Sequence, residues 1–265
     1  MLAFECDIAG LFRYRKLYFA SREAALEISR SLRLNEVVRL FGVFSDLGTP
    51  GHLIAHQQML TAWVDLSAGP EQVLNGMKKK SCRYELRRAE KMLDRVTIEV
   101  NSPKALHDFL PLYNTFAVTK GPVPKLSPER LGEYVANGEA LVLYLDEQPL
   151  CCHLMLCDRE AGIARLLYSG SRRLESQEDS NACGALNRYL HWHEMLRYHA
   201  RGFRTYDFGG IRSLTHPTAR FKLSFGGSVV TEHYYLLGGV PWLTALGSKV
   251  YGRLFGNKAL LGNYA

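Results

Sequence analysis

No stretch of the 265-residue sequence approaches the ~18–20 uncharged apolar residues that a membrane-spanning helix needs, so none is expected. Its six cysteines (Cys6, Cys82, Cys151, Cys152, Cys157, Cys183) contain no CxxC pair and no secreted-domain spacing. That excludes a disulfide-stapled scaffold and points to a reducing cytoplasm. Three of them lie in an apolar run, where cysteine serves as a small buried hydrophobe. His153 stands beside them, but four ligands at zinc spacing are missing and no metal is expected. Internal repeats, low-complexity tracts and a Pro/Ser-rich linker are lacking too. Glu5 and Asp7 interrupt the first apolar stretch, which argues against a signal peptide. Acidic residues stop altogether at Glu232. Over 241–265 Lys249, Arg253 and Lys258 alternate with Trp242, Leu246, Val250, Leu254 and Phe255. Such a basic amphipathic tail suits a peripheral membrane contact, or packing on the domain or on a second subunit of a homo-oligomer.

What is present reads as a globular protein: 47% hydrophobic and 22% charged residues exclude disorder. A chain of this length suggests roughly two domains and can bury about 70–75% of its unfolded surface without a staple. Lys and Arg total 33 against 26 acidic residues, a net charge of +7. That balance suits an anionic ligand, a nucleic acid or a membrane surface without choosing among them.

The first sixty residues are the least readable. Residues 21–34 have helical spacing behind Ser21 as N-cap, and Asp46-Leu-Gly-Thr-Pro50 reads as a turn. A short strand is expected over 61–66, a helix from Pro70 to about Leu93, and a strand over 96–100. Residues 104–119 look helical, a loop follows at Gly121-Pro-Val-Pro124, and Ser127 ahead of Pro128 opens another helix. Three strands (140–145, 150–156, 163–169) joined by short turns predict an antiparallel meander. A polar stretch then leads to a long helix over about 184–200. A strand (205–208), a Gly-Gly loop, a short helix (219–225) and a last strand (228–236) complete an α+β pattern.

Three segments sharpen this order of elements. Met77-Lys-Lys-Lys-Ser-Cys-Arg-Tyr-Glu-Leu-Arg-Arg-Ala-Glu-Lys91 resembles the "R…RRAEK" helix of FemAB-like proteins. Tyr206-Asp-Phe-Gly-Gly-Ile211 resembles their "YDFGGI" strand end, and Phe221-Lys-Leu-Ser-Phe-Gly-Gly227 their "FKxxFGG" corner. The chain thus resembles the FemAB/FemX-like branch of the GNAT acyltransferases, which includes peptidoglycan-branching FemX-type transferases and BioF-like amino-sugar N-acyltransferases. The resemblance implies a GNAT fold of two GNAT-like halves, the C-terminal one more complete, with ligands in the cleft between. Residues 1–102 would be a degenerate, acceptor-binding half, 103–240 the acyltransferase half, and 241–265 the tail. The chain is short for the FemX group, and lacks both its helical-hairpin insertion for tRNA and the usual "Q/RxxGxG/A" loop.

N-acyl transfer needs a neutral amine, an oxyanion partner, and a reach of about 3–3.5 Å between nitrogen and carbonyl carbon. Lys222 is the expected oxyanion partner: it matches the FK lysine of the family and sits between Phe221 and Phe225, which lower the local dielectric. Tyr168, near the end of the third meander strand, could orient the amine or protonate the leaving thiolate, or be a half-buried strand tyrosine. Asp207 could accept from the amine, or support the glycine turn, the preferred reading. Asn181, Gly184 and Asn187 fall where the long helix is expected to begin, a natural cradle for a pyrophosphate; Asn181 could equally be a plain N-cap. With Ser169 they form the expected acyl-CoA set.

Arg83, Arg87 and Lys91 share a helix face at i, i+4 and i+8, and guanidinium forks suit phosphate; a merely solvated helix fits as well. Arg83, Arg87, Thr119, Lys120 and Arg220 form the expected acceptor set. His191 and His193 project to different faces of one helix, so a metal pair is not expected. The leading expectation is an acyl-CoA-dependent N-acyltransferase acting on an amino group of a nucleotide-linked sugar or similar cell-envelope precursor. The alternative donor is aminoacyl-tRNA, as in FemX-type enzymes. A nucleic-acid module would need stacking aromatics along the Lys78-Lys-Lys80 face, where only Tyr84 qualifies. A non-catalytic GNAT-like scaffold at a membrane is a further alternative, suggested by the tail.

Overall fold

The computed structural model describes residues 1–8, 12–121, 123–175 and 177–240; the basic tail expected over 241–265 lies outside them. The chain runs β1 (Leu2–Ile8), β2 (Phe12–Tyr18), α1 (Arg22–Ser31), β3 (Glu36–Val43), β4 (Leu53–Asp65) and α2 (Pro70–Gly76). A π-helical turn (Lys79–Arg83) leads into α3 (Tyr84–Glu90), β5 (Val96–Val100), α4 (Pro103–Lys120) and α5 (Pro128–Val135). Then follow β6 (Gly138–Leu145), β7 (Gln148–Asp158), β8 (Ile163–Ser171), α6 (Gln177–Ala200), β9 (Thr205–Ile211), α7 (Pro217–Leu223) and β10 (Ser228–Gly238). No helix among the described residues is long and apolar enough to cross a membrane.

Local chemistry starts several elements where the sequence suggests. The hydroxyls of Ser21, Ser102 and Ser127 accept from the N–H groups of Ala24, Ala105 and Arg130 at 3.2, 3.1 and 3.3 Å, satisfying donors that a helix start leaves bare. Proline fills the first position of α4 and α5, where a missing N–H costs nothing. Asp146 and Glu147 both take positive φ (48° and 64°), the geometry of a two-residue hairpin that matches strand twist, so β6 turns directly into β7.

Contacts divide the described chain into two compact units, the first holding 1–61, 210–212 and 230–240, the second 62–209 and 213–229. In the first, strand order is β1-β2-β3-β10. β2 and β3 run parallel across α1, and Leu17, Val38, Leu40, Tyr235 and Leu237 bury against Ala25 of that helix. In the second the order is β9-β8-β7-β6-β5, with the expected antiparallel meander at its centre. Cys151 and Cys152 are fully buried among Leu141, Leu143, Leu154 and Met155, as small hydrophobes should be.

Three expectations need correction. The helix expected over 70–93 is broken: Met77 and Lys78 are extended, because the buried Met77 and a Lys78 N–H bond to the Ser224 carbonyl (2.9 Å) pull the chain out of the spiral. It re-enters through the π turn, where the Arg83 N–H reaches the Lys78 carbonyl five residues back. The long helix α6 starts at Gln177, seven residues before Gly184, since the polar stretch from there contains no glycine or proline to stop it. The first sixty residues hold three complete strands besides α1, and β4 begins at Leu53, not at Thr61.

The glycines of the "FGG" corner have a steric reason. Gly226 has φ +81°, and a Cβ there would lie 2.7 Å from the Gly76 carbonyl, while one on Gly227 would lie 2.6 Å from the Trp63 oxygen. Both obstacles are backbone. Gly226→Ala should therefore destabilise by about 2–4 kcal/mol, combining left-handed strain with overpacking. Urea unfolding measures this; an unchanged midpoint would refute the tight corner.

Candidate active site

The site begins where two parallel strands part. β8 and β9 pair over three residues, Ile163–Thr205, Ala164–Tyr206 and Arg165–Asp207, and the ladder then ends. Just beyond, β8 carries an extra residue: Leu154 faces Tyr168 and Met155 faces Leu166, leaving Leu167 bulged. Asp207 is fully buried at the fork. Its Oδ2 accepts from Arg165 Nε (2.7 Å) and Nη2 (2.6 Å), and its Oδ1 accepts from the Gly209 N–H (2.8 Å). Gly209 has φ +71° and lies against the Leu166 carbonyl, which a Cβ would approach to 3.0 Å. Asp207 thus ties down the glycine turn, and both its oxygens are engaged.

Lys222, on α7, aims at this turn. Its Nζ donates to the Gly209 carbonyl at 3.1 Å, and the side chain is half-buried. Phe221 and Phe225 meet edge to face at 5.4 Å, and the Arg188 guanidinium lies 4.8 Å from the Phe221 ring centre. Arg188, from α6, has a buried Nε without a partner and donates from Nη1 to the Gly184 carbonyl (2.8 Å). Nothing in the sequence pattern marks it; only the packing of α6 on α7 brings it to Phe221.

Behind the fork lies a sealed polar network built from three elements. His153 of β7 donates from Nδ1 to Glu194 Oε1 of α6 (2.8 Å), and its Nε2 faces the Asn187 side-chain amide (3.1 Å). Tyr206 of β9 donates its hydroxyl to Glu194 Oε2 and accepts from His191 Nδ1 (2.8 Å). Phe208, Phe221 and Phe225 surround the His191 ring at 4.9, 5.6 and 5.4 Å. From sequence these histidines invite consideration only as metal ligands. The usable signal was His191 and Glu194 at i, i+3, which places both on one helix face. Because His191 packs on Phe221, the network also steadies the helix that carries Lys222. Burial pushes the Cys82 thiol up to about 11, so it offers no ready thiolate.

Other expected residues are scattered. The Tyr168 ring packs on Tyr113 of α4 (5.2 Å) and Tyr134 of α5 (6.0 Å). Arg83 closes the π turn and Lys91 caps α3, so with Arg87 they do not share one continuous α-helix. Arg87 and Arg220 are exposed. Thr119 donates to the Thr115 carbonyl (3.0 Å), and the Lys120 ammonium lies over Phe116 (5.3 Å) at the exposed end of α4. Ser169 and Asn181 are exposed; Asn181 is the fifth residue of α6 and caps nothing, and Gly184 lies inside the helix with open space beside its Cα. Asn187 turns inward to His153.

Burial pushes the His191 imidazole down to about 3, and the neighbouring His153 and Lys222 charges oppose its protonation further. Burial would raise Glu194, but His153 and His191 outweigh it and hold the carboxyl at about 2. Both groups regain ordinary values on unfolding, so below pH ~6.5 the unfolded chain takes up protons that the native state refuses. Stability should be full above about pH 6.5 and fall as pH drops toward 3, by up to about 1.4 kcal/mol per pH unit for each proton. Urea titrations from pH 8 to 4.5 check this, with His191→Gln expected to flatten the dependence below pH 6.5.

Known proteins share this fold. The acetyltransferase (GNAT) domain family matches residues 78–223, more than half of the chain. No curated protein sequence matches. The crystal structure of FemX superposes with a TM-score of 0.64 at 12% identity, covering 91% of this chain and 85% of that one. A C-terminal DUF2156 domain from Agrobacterium fabrum, assigned to a putative lysylphosphatidylglycerol synthetase, gives 0.54 at 13% identity over 94% and 85% of the two chains. A conserved protein of unknown function from Bacteroides thetaiotaomicron VPI-5482 gives 0.53 at 10% identity over 89% and 82%. At such identities the likeness is one of fold. The match over residues 78–223 makes the chain a member of the GNAT acetyltransferase-domain family, folded like its FemX-like branch.

Proposed function

We propose that this GNAT acyltransferase moves an acyl group from acyl-CoA to a primary amine, the acceptor being a nucleotide-linked amino sugar or a similar cell-envelope precursor. One observation carries the reading: the Lys222 ammonium rests on the Gly209 carbonyl, where the β8–β9 ladder stops. The neutral amine attacks the thioester carbon, a C–N bond forms, and the carbonyl electron pair moves onto oxygen. Lys222 neutralises that oxyanion, and its aromatic neighbours strengthen its field. Collapse breaks the C–S bond and releases the thiolate, which takes a proton from the Tyr168 hydroxyl or from water, while the new amide sheds one to solvent.

The parted strands offer backbone along which the donor's pantetheine arm can lie as an added strand. The 24-residue helix α6 offers its first turn to the pyrophosphate, with Ser169, Asn181 and Gly184 nearby in the chain. Asn187, held by His153, acts at one remove. Arg83, Arg87, Arg220, Thr119 and Lys120 form the acceptor's anionic contacts in this reading. The proposed steps use no metal, and the protein works in the cytoplasm or at the membrane surface.

The FemX likeness supports a second donor, aminoacyl-tRNA, carried to the same lysine. Mass spectrometry of the purified protein and thermal-shift measurements decide between them: a co-purified CoA thioester supports the first donor, and thermal stabilisation by charged tRNA but not by acyl-CoA supports the second. Lys222→Met should lower turnover by about 10²–10³, the scale of one lost oxyanion contact. Near-normal turnover in that variant would remove Lys222 from the chemistry.

A further inference from the structure

We propose that Asp46, His56 and His233, all in the first unit, bind a divalent transition-metal ion, of the chemistry of Zn²⁺. His56 comes from β4, His233 from β10, and Asp46 from the turn after β3; their ligand atoms all lie within 4.8 Å of one another. His56 Nε2 and His233 Nδ1 are 2.9 Å apart. Two nitrogens bound to one zinc at 2.0–2.1 Å are separated by about 2.9–3.4 Å, depending on the angle. An ion would replace the single proton between these rings and sit off the line joining the two nitrogens, so each imidazole turns to bring its lone pair onto it.

The surroundings hold the ligands in place. The His56 ring stacks on Tyr235 (4.5 Å, 6°) and meets His233 edge to edge with the ring planes 13° apart, which keeps both imidazoles in nearly one plane. The β3–β10 register shifts between His233 and Tyr235, locally re-aiming the strand. The Tyr235 hydroxyl accepts from the Leu47 N–H (2.8 Å) and donates to Asp46 Oδ1 (3.0 Å), and the Gly48 N–H donates to the same oxygen (2.8 Å). Oδ1 is thereby anchored and the other carboxylate oxygen is left to close on the ion. Outer hydrogen bonds of this kind orient metal-binding carboxylates.

Availability and ligand type agree with the geometry. His56 and Asp46 are exposed while His233 is 7% exposed, so an ion can enter from solvent and keep open positions for water. Two imidazoles and a carboxylate suit zinc, copper, nickel or iron better than magnesium or calcium. The other grouping, His153, His191 and Glu194, is sealed and satisfied by internal hydrogen bonds. His233 lies far along the chain from Asp46 and His56, and no zinc spacing announces the three together.

Calorimetry of the tag-free, chelator-stripped full chain with ZnCl₂ tests the site, with Co²⁺ d–d absorption as a second readout. One ion per chain with a Kd of about 1 µM or tighter is expected. Tyr235→Phe should weaken binding about 10–100-fold, and His56→Gln, at an exposed position, by at least as much. Cys6→Ser and His107→Gln, both exposed sites elsewhere, should leave it unchanged. No binding at 100 µM Zn²⁺, or equal affinity in His56→Gln, would overturn the site and leave a plain histidine–histidine hydrogen bond.

Discussion

Asp207 has no solvent to screen it, and its oxygens are divided between the Arg165 guanidinium and the Gly209 N–H. A buried carboxylate survives only when such partners replace its water, so this one cannot move without exposing a charge to an apolar interior. It fixes the last paired residues of β8 and β9 and the turn that follows. The Gly209 carbonyl, and with it the Lys222 ammonium, inherits its position from this ion pair. Disturbing Asp207 should therefore disturb the fork as a whole, although its oxygens meet only protein groups in this arrangement.

A second buried carboxylate, Glu194, exerts a similar constraint deeper in the second unit. It joins β7, α6 and β9 through His153 and Tyr206, and His191 passes the constraint to Phe221 on α7. On the proposed reading, acyl transfer asks for position and one well-placed positive charge more than for a strong base. A scaffold in which two buried acids hold the elements around a single lysine meets that demand.

The sequence made the local features legible. Ser21 and Ser127 declare their helices because a hydroxyl before a helix start satisfies bare N–H groups within a few residues. The meander follows from short apolar runs bounded by turn residues. The break at Met77 and Lys78 was hidden because its cause, the Ser224 carbonyl, lies far along the chain. The early strands were hidden because β1 is half-buried only at Leu2 and Phe4 and exposed at Ala3, Glu5, Cys6 and Asp7, which gives propensity little apolar contrast to work with. Lys222, Asp207 and Gly209 were legible through the resemblance of two short motifs. Arg188 was not, nor was the bond between His153 and Glu194, since no spacing rule links a strand to a helix some forty residues away.

By itself the sequence determined the α+β order, the helix caps, the glycines of the two corners and the lysine between two phenylalanines, because each depends on neighbours within a few residues. Only the tertiary structure decided where the parallel strands part, which carboxylates become buried partners rather than free acids, and which histidines meet. Those outcomes depend on which distant segments exclude water together, and burial and pairing are properties of the folded whole.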